Sequence, residues 1–210
     1  MNTPPVSDPI APLSAEALRE WNGHVDNVLR GVAHALNNRA ASMSALMSLC
    51  MEPDYSREAT RAQVSTEVDR LHEIVNVIRA VGGPNGGVEA FDPGDAAQAA
   101  SAVIALHASL RDRTVTINAV APPVRTHRWI FVRALIVLVG RAAAADRRAP
   151  ISLDLTEHDG WIHVAATGAS AGGPSPYIHE IAVVLGGEPL AEGSGFRIPS
   201  LAALRQREGR

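Results

Sequence analysis

A histidine and an asparagine four residues apart have the clearest capacity for chemistry in this sequence. His34 and Asn38 lie in a stretch whose apolar residues recur every three or four positions, which predicts a helix from Ser14 to Cys50. Residues four apart stand one turn apart on the same face, so the amide is expected beside the imidazole. His34 falls between Val32 and Leu36 of the apolar seam and is predicted to point outward. An outward imidazole can act as a nucleophile near neutral pH, so we interpret the pair as a candidate group-transfer site that meets a partner protein.

A second helix with the same apolar periodicity is predicted from Ser56 to Val81, because Pro53 ends the first. Two helices joined by a short turn form an antiparallel hairpin, which cannot bury both apolar seams by itself. We therefore expect two copies to pair as a homodimer with a four-helix bundle. The alternative is a monomer that buries these seams against its own C-terminal half. The apolar positions of the second helix are Val64, Val68, Leu71, Val75 and Ile78.

After the glycine-rich stretch 82–87 the pattern becomes mixed. Alternating apolar residues predict strands, and longer apolar runs predict the helices between them. Strands are predicted at 88–91, 114–120, 151–155, 161–165 and 196–198, and helices at 93–111, 128–145 and 177–185. This order is typical of an α/β sandwich in which one mixed sheet carries helices on one face. The chain is thus predicted to be an α+β protein with a disordered N-terminus (1–13), a helical hairpin (14–82), a linker (83–87) and the sandwich (88–205).

The composition excludes several classes of function. The chain has 210 residues, of which 46% are apolar, and its formal net charge of −3 gives no basic face for nucleic acid. It contains no lysine, which excludes Schiff-base and phosphate-loop lysine chemistry. The single cysteine, Cys50, cannot form an internal disulfide and is expected to be a buried structural thiol. The histidines show no metal-ligand spacing, so no metal site is predicted. No apolar run is long enough for a bilayer, and no signal peptide precedes the helices, so a cytoplasmic protein without a membrane contact is expected.

The order of these segments resembles the catalytic core of bacterial histidine kinases over roughly residues 14–200. The run His34-Ala35-Leu36-Asn37-Asn38 is similar to the phosphoacceptor box of that family, which often reads His-Glu-Leu-Asn-Asn. The helix 131–145 resembles the one that carries the ATP-site asparagine, and 159–168 resembles the strand and turn that carry the adenine-binding aspartate. The segments 184–187 and 195–199 resemble the closing helix and the final strand of the family.

Departures from the family pattern concentrate at the nucleotide site. Gly140 and Arg141 stand where the family has its metal-binding asparagine, and Ala166 or Thr167 stands where it has its adenine-reading aspartate. Only residues 168–176 separate the strand from the next helix, so the glycine-rich lid over the phosphates is missing. Transfer from ATP needs oriented phosphates and a metal ion. The resemblance therefore implies a degenerate ATPase domain that holds no nucleotide.

Two further departures flank the histidine. Ala35 replaces a residue that is usually acidic in active kinases, and alanine can neither orient the imidazole nor accept its proton. Arg39 stands where many kinases have proline. Its guanidinium is a candidate to compensate phosphoryl charge, or else an ordinary solvated arginine. His72 is expected on the second helix at about the height of His34, as a second acceptor, a neighbour that tunes the first, or a bystander.

A kinase-shaped dimer that keeps its histidine and loses its ATP site resembles the dimeric histidine phosphotransferases of bacterial phosphorelays. This resemblance implies that His34 carries a phosphoryl group between the aspartates of response-regulator receiver domains, with Asn38 contacting the phosphoryl oxygens or placing a water. It implies no cofactor of the protein's own, because the receiver brings its Mg²⁺. Two alternatives stay open: a pseudokinase scaffold that binds a receiver domain or a kinase without chemistry, and a divergent active histidine kinase.

Overall fold

The computed structural model describes residues 13–50, 57–82, 86–110, 113–146, 148–169, 173–191 and 194–208. It begins with two long helices, α1 (Ala15–Leu49) and α2 (Arg57–Gly82). Ser14 caps α1 as predicted, since its Oγ accepts a hydrogen bond from the amide of Ala17 at 3.1 Å. Apart from Leu13, which packs against the core, the segment predicted to be disordered lies outside the described residues, as does the turn around Pro53.

The second part of the chain alternates strands and helices. The elements in chain order are β1 (Val88–Phe91), α3 (Pro93–Ala105), a 3-10 turn (Ala108–Leu110), β2 (Val115–Val120), β3 (Val124–His127), α4 (Arg128–Ala145), β4 (Ile151–His158), β5 (Trp161–Ala166), α5 (Pro176–Val184), β6 (Glu188–Pro189), β7 (Gly195–Pro199) and α6 (Leu201–Glu208). The predicted bounds of β1 and α4 are confirmed. Predicted helix 93–111 is wrong in length, because α3 ends at Ala105 and a 3-10 turn follows. Strands β3 and β6 and helix α6 were not predicted.

The main sheet has five strands in the order β2-β4-β5-β7-β6. Strands β2 and β4 run parallel, and the other neighbours run antiparallel. Strands β1 and β3 form a separate antiparallel pair. Long N-terminal helices followed by a mixed sheet with helices confirm the α+β class and the hairpin-plus-sandwich order. The four-helix bundle stays a prediction, because it needs a second copy of the chain.

Helices cover one face of this sheet. Alternate residues of β4 and β5 are buried against α4, which is itself buried on nearly all sides. Phe131 of α4 packs edge-on against both Phe91 and Phe196, with ring centroids 5.6 and 5.7 Å apart. These contacts join the small β1–β3 pair, the helix layer and the main sheet in one core.

Helix α1 forms a third layer over the helices of the sandwich. Ala17, Val28 and Val32 are buried there, and the ring of Trp21 stacks on Tyr177 with centroids 5.6 Å apart. The predicted apolar seam of α1 is thus partly buried against the chain's own C-terminal half. Most of the α2 seam is not, since Val64, Val68, Val75 and Ile78 remain 37–42% exposed.

Cys50 is exposed, so the expectation of a buried thiol is wrong. It follows the last residue of α1, at the end of the helix remote from the sandwich, where nothing described covers it. Exposure of Leu18, Leu36 and Met47 has a related cause, because the sandwich covers only one side of α1.

Candidate functional site

His34 and Asn38 lie side by side on the exposed surface of α1, as their spacing predicts. The amide Nδ2 of Asn38 is 3.0 Å from Nε2 of His34. With the amide placed this way Asn38 donates to Nε2, which leaves the ring proton on Nδ1. The nitrogen that faces Asn38 therefore carries the lone pair that a nucleophile needs.

The pair opens into a cleft of about 370 Å³ between α1 and the end of α3. We call it the His34 cleft. Side chains of α1 form one wall, and the chain that leaves α3 forms the other. Its lining residues are Arg30, Gly31, His34, Ala35, Asn38, Arg39, Ala105, Leu106, His107 and Ala108. The candidate nucleophile is thus accessible from outside and faces backbone of the sandwich.

Gly31 sets the distance between the two walls. A Cβ at this position would collide with the carbonyl oxygen of Leu106. Only glycine lets the backbone of α1 approach so closely, three residues before His34. The position of His34 relative to the sandwich depends on this contact.

One of the residues that line the cleft, His107, forms a pair with His24. His107 is 1% exposed, its Nε2 is 3.5 Å from Nδ1 of His24, and its Nδ1 is 2.9 Å from Oγ of Ser109. Burial lowers the pKa of His107 to about 4, and a positive charge on His24 would lower it further. Burial also lowers the pKa of His24, against the opposing effect of Glu20. Burial thus favours the neutral form of both rings, and their contact joins α1 to the residues that follow α3.

Arg39 is engaged in an ion pair that fixes the register of the hairpin. Its Nη1 lies 3.1 Å from both carboxylate oxygens of Glu67, which also accepts from Arg70 at 2.9 Å. The hydrogen bond from Arg39 holds the pKa of Glu67 below its usual value. Because residues 39 and 67 face each other in antiparallel helices, residue 72 lies near the level of residue 34. His72 is exposed and does not line the His34 cleft.

Two of the residues compared with the kinase nucleotide site, Gly140 and Arg141, contact α1. Gly140 lies against the ring of His24, and a Cβ there would collide with it. Arg141 donates to Glu20 at 2.8 Å and to the carbonyl of Gly173. Of the two residues compared with the adenine-reading aspartate, Ala166 is buried on β5 and Thr167 is exposed.

Glu20 joins α1 to the start of α5. Besides Arg141, its carboxylate accepts from Oγ of Ser175 at 2.8 Å and from the amide of Tyr177 at 3.0 Å. The amide of Tyr177 belongs to the first turn of α5, where a helix favours negative charge. A carboxylate of the protein itself therefore fills the anion-binding position at this helix end.

Sequence reasoning found His34 and Asn38 and missed three residues near them. Arg30 had a usable signal, since it lies four residues before His34. Gly31 offered a weaker one, as a glycine inside a helical pattern. His107 had none, because nothing in the sequence relates it to His24, 83 residues away.

Two further observations concern the described residues only. No group of three histidine, cysteine, aspartate or glutamate side chains within them is arranged to hold a metal ion. None of the described helices combines the length and the apolarity needed to cross a membrane.

No protein-family model matches the chain, and no curated protein matches it in sequence. Among solved structures it is similar to a bacterial phosphotransferase at 16% identity, over 74% of this chain and 71% of that one, with a TM-score of 0.41. It is also similar to the histidine kinase AdeS of Acinetobacter baumannii at 12% identity, over 80% of this chain and 98% of that one, with a TM-score of 0.42. At these values neither structure gives this chain a family or an activity.

Proposed function

We propose that this protein is a histidine phosphotransferase of a bacterial two-component phosphorelay, with His34 as the phosphoryl carrier. The observation that supports it best is the His34 cleft, where an accessible imidazole presents the Nε2 lone pair beside a side-chain amide. The donors and acceptors in this proposal are aspartates of response-regulator receiver domains. The receiver brings its own Mg²⁺, so this chain supplies position and hydrogen-bond donors.

In the proposed reaction Nε2 of His34 attacks the phosphorus of a receiver's aspartyl phosphate. A bond forms between nitrogen and phosphorus while the aspartyl oxygen–phosphorus bond breaks, and the electron pair leaves with the carboxylate. The second transfer runs the same steps in reverse toward another receiver. Asn38 releases Nε2 and turns its amide toward the phosphoryl oxygens.

The contacts of α1 with Gly140 and with the start of α5 support transfer without ATP. His24 fills the space over Gly140, and the carboxylate of Glu20 stands at the start of α5. A nucleotide phosphate at that position would meet this negative charge. The proposal therefore includes a sandwich that serves as a platform for His34 and binds no ATP.

His34→Gln tests the proposal, with His72→Gln as the matched control because both histidines are exposed at the same level of the hairpin. Receiver domains from the same organism are phosphorylated on aspartate and mixed with each variant. We expect an acid-labile, alkali-stable label on the wild type and on His72→Gln, and none on His34→Gln. A label that persists on His34→Gln would refute His34 as the carrier.

The second candidate is a scaffold that binds a receiver domain or a kinase without chemistry. Ala35 favours it, because no acidic group follows the histidine to orient the ring. Tight receiver binding by a wild type that is never labelled would establish this function instead. Micromolar binding of Mg-ATP in calorimetry would favour the third reading, a divergent active kinase.

A further inference from the structure

Three side chains of α1 at four-residue intervals line the same wall of the His34 cleft: Arg30, His34 and Asn38. Each stands one helical turn from the next, so a cation and an amide flank the imidazole on either side. The opposite wall is formed by the stretch from Ala105 to Ala108. A group bound to His34 would therefore lie between two hydrogen-bond donors.

The other cation of the cleft is not free for such a group. Arg39 contacts both oxygens of Glu67, whose residue is only 7% exposed. Turning Arg39 toward His34 would leave a poorly hydrated carboxylate with one partner fewer, which is unfavourable. Of the two roles considered for Arg39, compensation of phosphoryl charge is therefore disfavoured by its contacts with Glu67.

The side chain of Arg30 is not held in this way. Its side chain is exposed, and within the described part of the chain no carboxylate pairs with it. Asp26 lies one turn further from His34 and makes no ion pair with Arg30. The guanidinium is thus free to turn into the cleft.

We propose that Arg30 is a catalytic residue that binds the oxygens of the phosphoryl group during its transfer to and from His34. This inference rests on the proposed function. A phosphoryl group carries close to two negative charges near neutral pH, and a guanidinium donates two parallel hydrogen bonds to two of its oxygens. Together with the amide of Asn38, Arg30 offsets the charge on the equatorial oxygens as the bond to Nε2 forms.

A small donor tests Arg30 without a receiver. Phosphoramidate transfers its phosphoryl group to imidazoles: the ring nitrogen–phosphorus bond forms, the donor's nitrogen–phosphorus bond breaks, and ammonia leaves with the electron pair. Site-resolved mass spectrometry at alkaline pH measures the labelling rates of His34 and His72 in the same molecule. The exposed His72 thus serves as an internal reference for donor concentration and pH.

For Arg30→Gln we expect the ratio of His34 to His72 labelling to fall by about tenfold, and Arg30→Lys should restore part of it. Arg19→Gln is the matched control, an exposed arginine of the same helix that lies outside the cleft. It should leave the ratio unchanged. Because Arg30 is exposed, Arg30→Gln should unfold at the same temperature as the wild type. A lower labelling ratio would then come from the lost charge and not from a loss of structure.

An unchanged ratio in Arg30→Gln would overturn the inference and leave the proposed function intact, because that function is judged by receiver labelling of His34→Gln. A wild type that phosphorylated receivers never label, together with a reduced ratio in Arg30→Gln, would refute the phosphorelay proposal instead. In that case Arg30 would still be established as a phosphoryl-binding group.

Discussion

At the level of single residues, the neutral state of His107 ties the stability of the chain to pH. An unfolded histidine binds a proton near pH 6.5, whereas burial keeps the folded His107 neutral down to about pH 4. Between these values the unfolded state binds more protons than the folded state. Stability is therefore lost as the pH falls through this window and is fully present above it.

The first prediction follows from this difference. Replacing His107 by Asn keeps a neutral polar side chain and removes the titrating group, so the free energy of unfolding should depend less on pH between 6.5 and 4. Urea denaturation at a series of pH values measures the difference between wild type and variant. Between pH 6.5 and 4 the free energy of unfolding should fall by up to about 3 kcal/mol more in the wild type than in His107→Asn. Equal losses would show that folding does not lower the pKa of His107.

The residues of the candidate site differ in how well sequence could find them. His34 and Asn38 share a face because a helix has 3.6 residues per turn, and this local geometry is fixed by spacing. The same rule places Arg30 on this face, although Arg30 was not among the predicted site residues. It could not show that Arg39 faces Glu67, because that contact depends on the register between α1 and α2.

At the level of elements, the position of α1 on the sandwich is set by the close approach of Gly31 to the backbone of Leu106. An alanine inside a helix ordinarily stabilises a protein by about 0.5–1 kcal/mol relative to glycine. At Gly31 the added Cβ would meet the carbonyl of Leu106, which cannot move as a side chain can.

We therefore expect Gly31→Ala to lower the free energy of unfolding by about 1–3 kcal/mol, since overpacking costs that much in a tight interface. Gly23→Ala is its control on the same helix, because a Cβ there meets nothing within 4 Å. That variant should be as stable as the wild type or more so. Chemical denaturation of both proteins checks the pair, and equal stabilisation would mean that α1 is not seated on Leu106.

The helices and strands that could be predicted from the sequence are those whose apolar residues recur at a regular spacing. The long seams of α1 and α2 and the alternation in β4 and β5 carry that signal. Strand β3 has only four residues, and its pairing partners in β1 lie 33 to 39 positions away in the chain. Helix α6 has no apolar stripe, and its contacts include one with Trp161, whose ring centroid lies 5.3 Å from the guanidinium carbon of Arg207. Both elements depend on tertiary contacts, so local sequence patterns could not predict them.

At the level of the whole molecule, the hairpin leaves an apolar stripe uncovered. On α2 it comprises Val64, Val68, Val75 and Ile78, and on α1 it includes Leu29 and Leu36. Leu36 lies two residues from His34 and thus on the opposite side of the helix. A second copy on this stripe would complete the predicted four-helix bundle and leave His34 accessible.

We predict that Val68→Asp converts a dimer into monomers, because a charge buried in the bundle core costs several kcal/mol. Asn76→Asp adds the same charge to an exposed position of α2 about a third of a turn from the stripe and should remain dimeric. Light scattering coupled to gel filtration distinguishes the two. A monomeric wild type at micromolar concentration would contradict the homodimer.

Helix α1 belongs to both parts of the chain at once. Its 35 residues span about 52 Å, and its first half completes the core of the sandwich while its second half forms the hairpin with α2. A fragment cut at the glycine-rich stretch would lose the layer that covers Tyr177 and Gly140. Recombination at that point would likewise separate the sandwich from the helix that completes its core. It would also separate the hairpin from the sandwich that α1 packs on, so the two halves are expected to be inherited together.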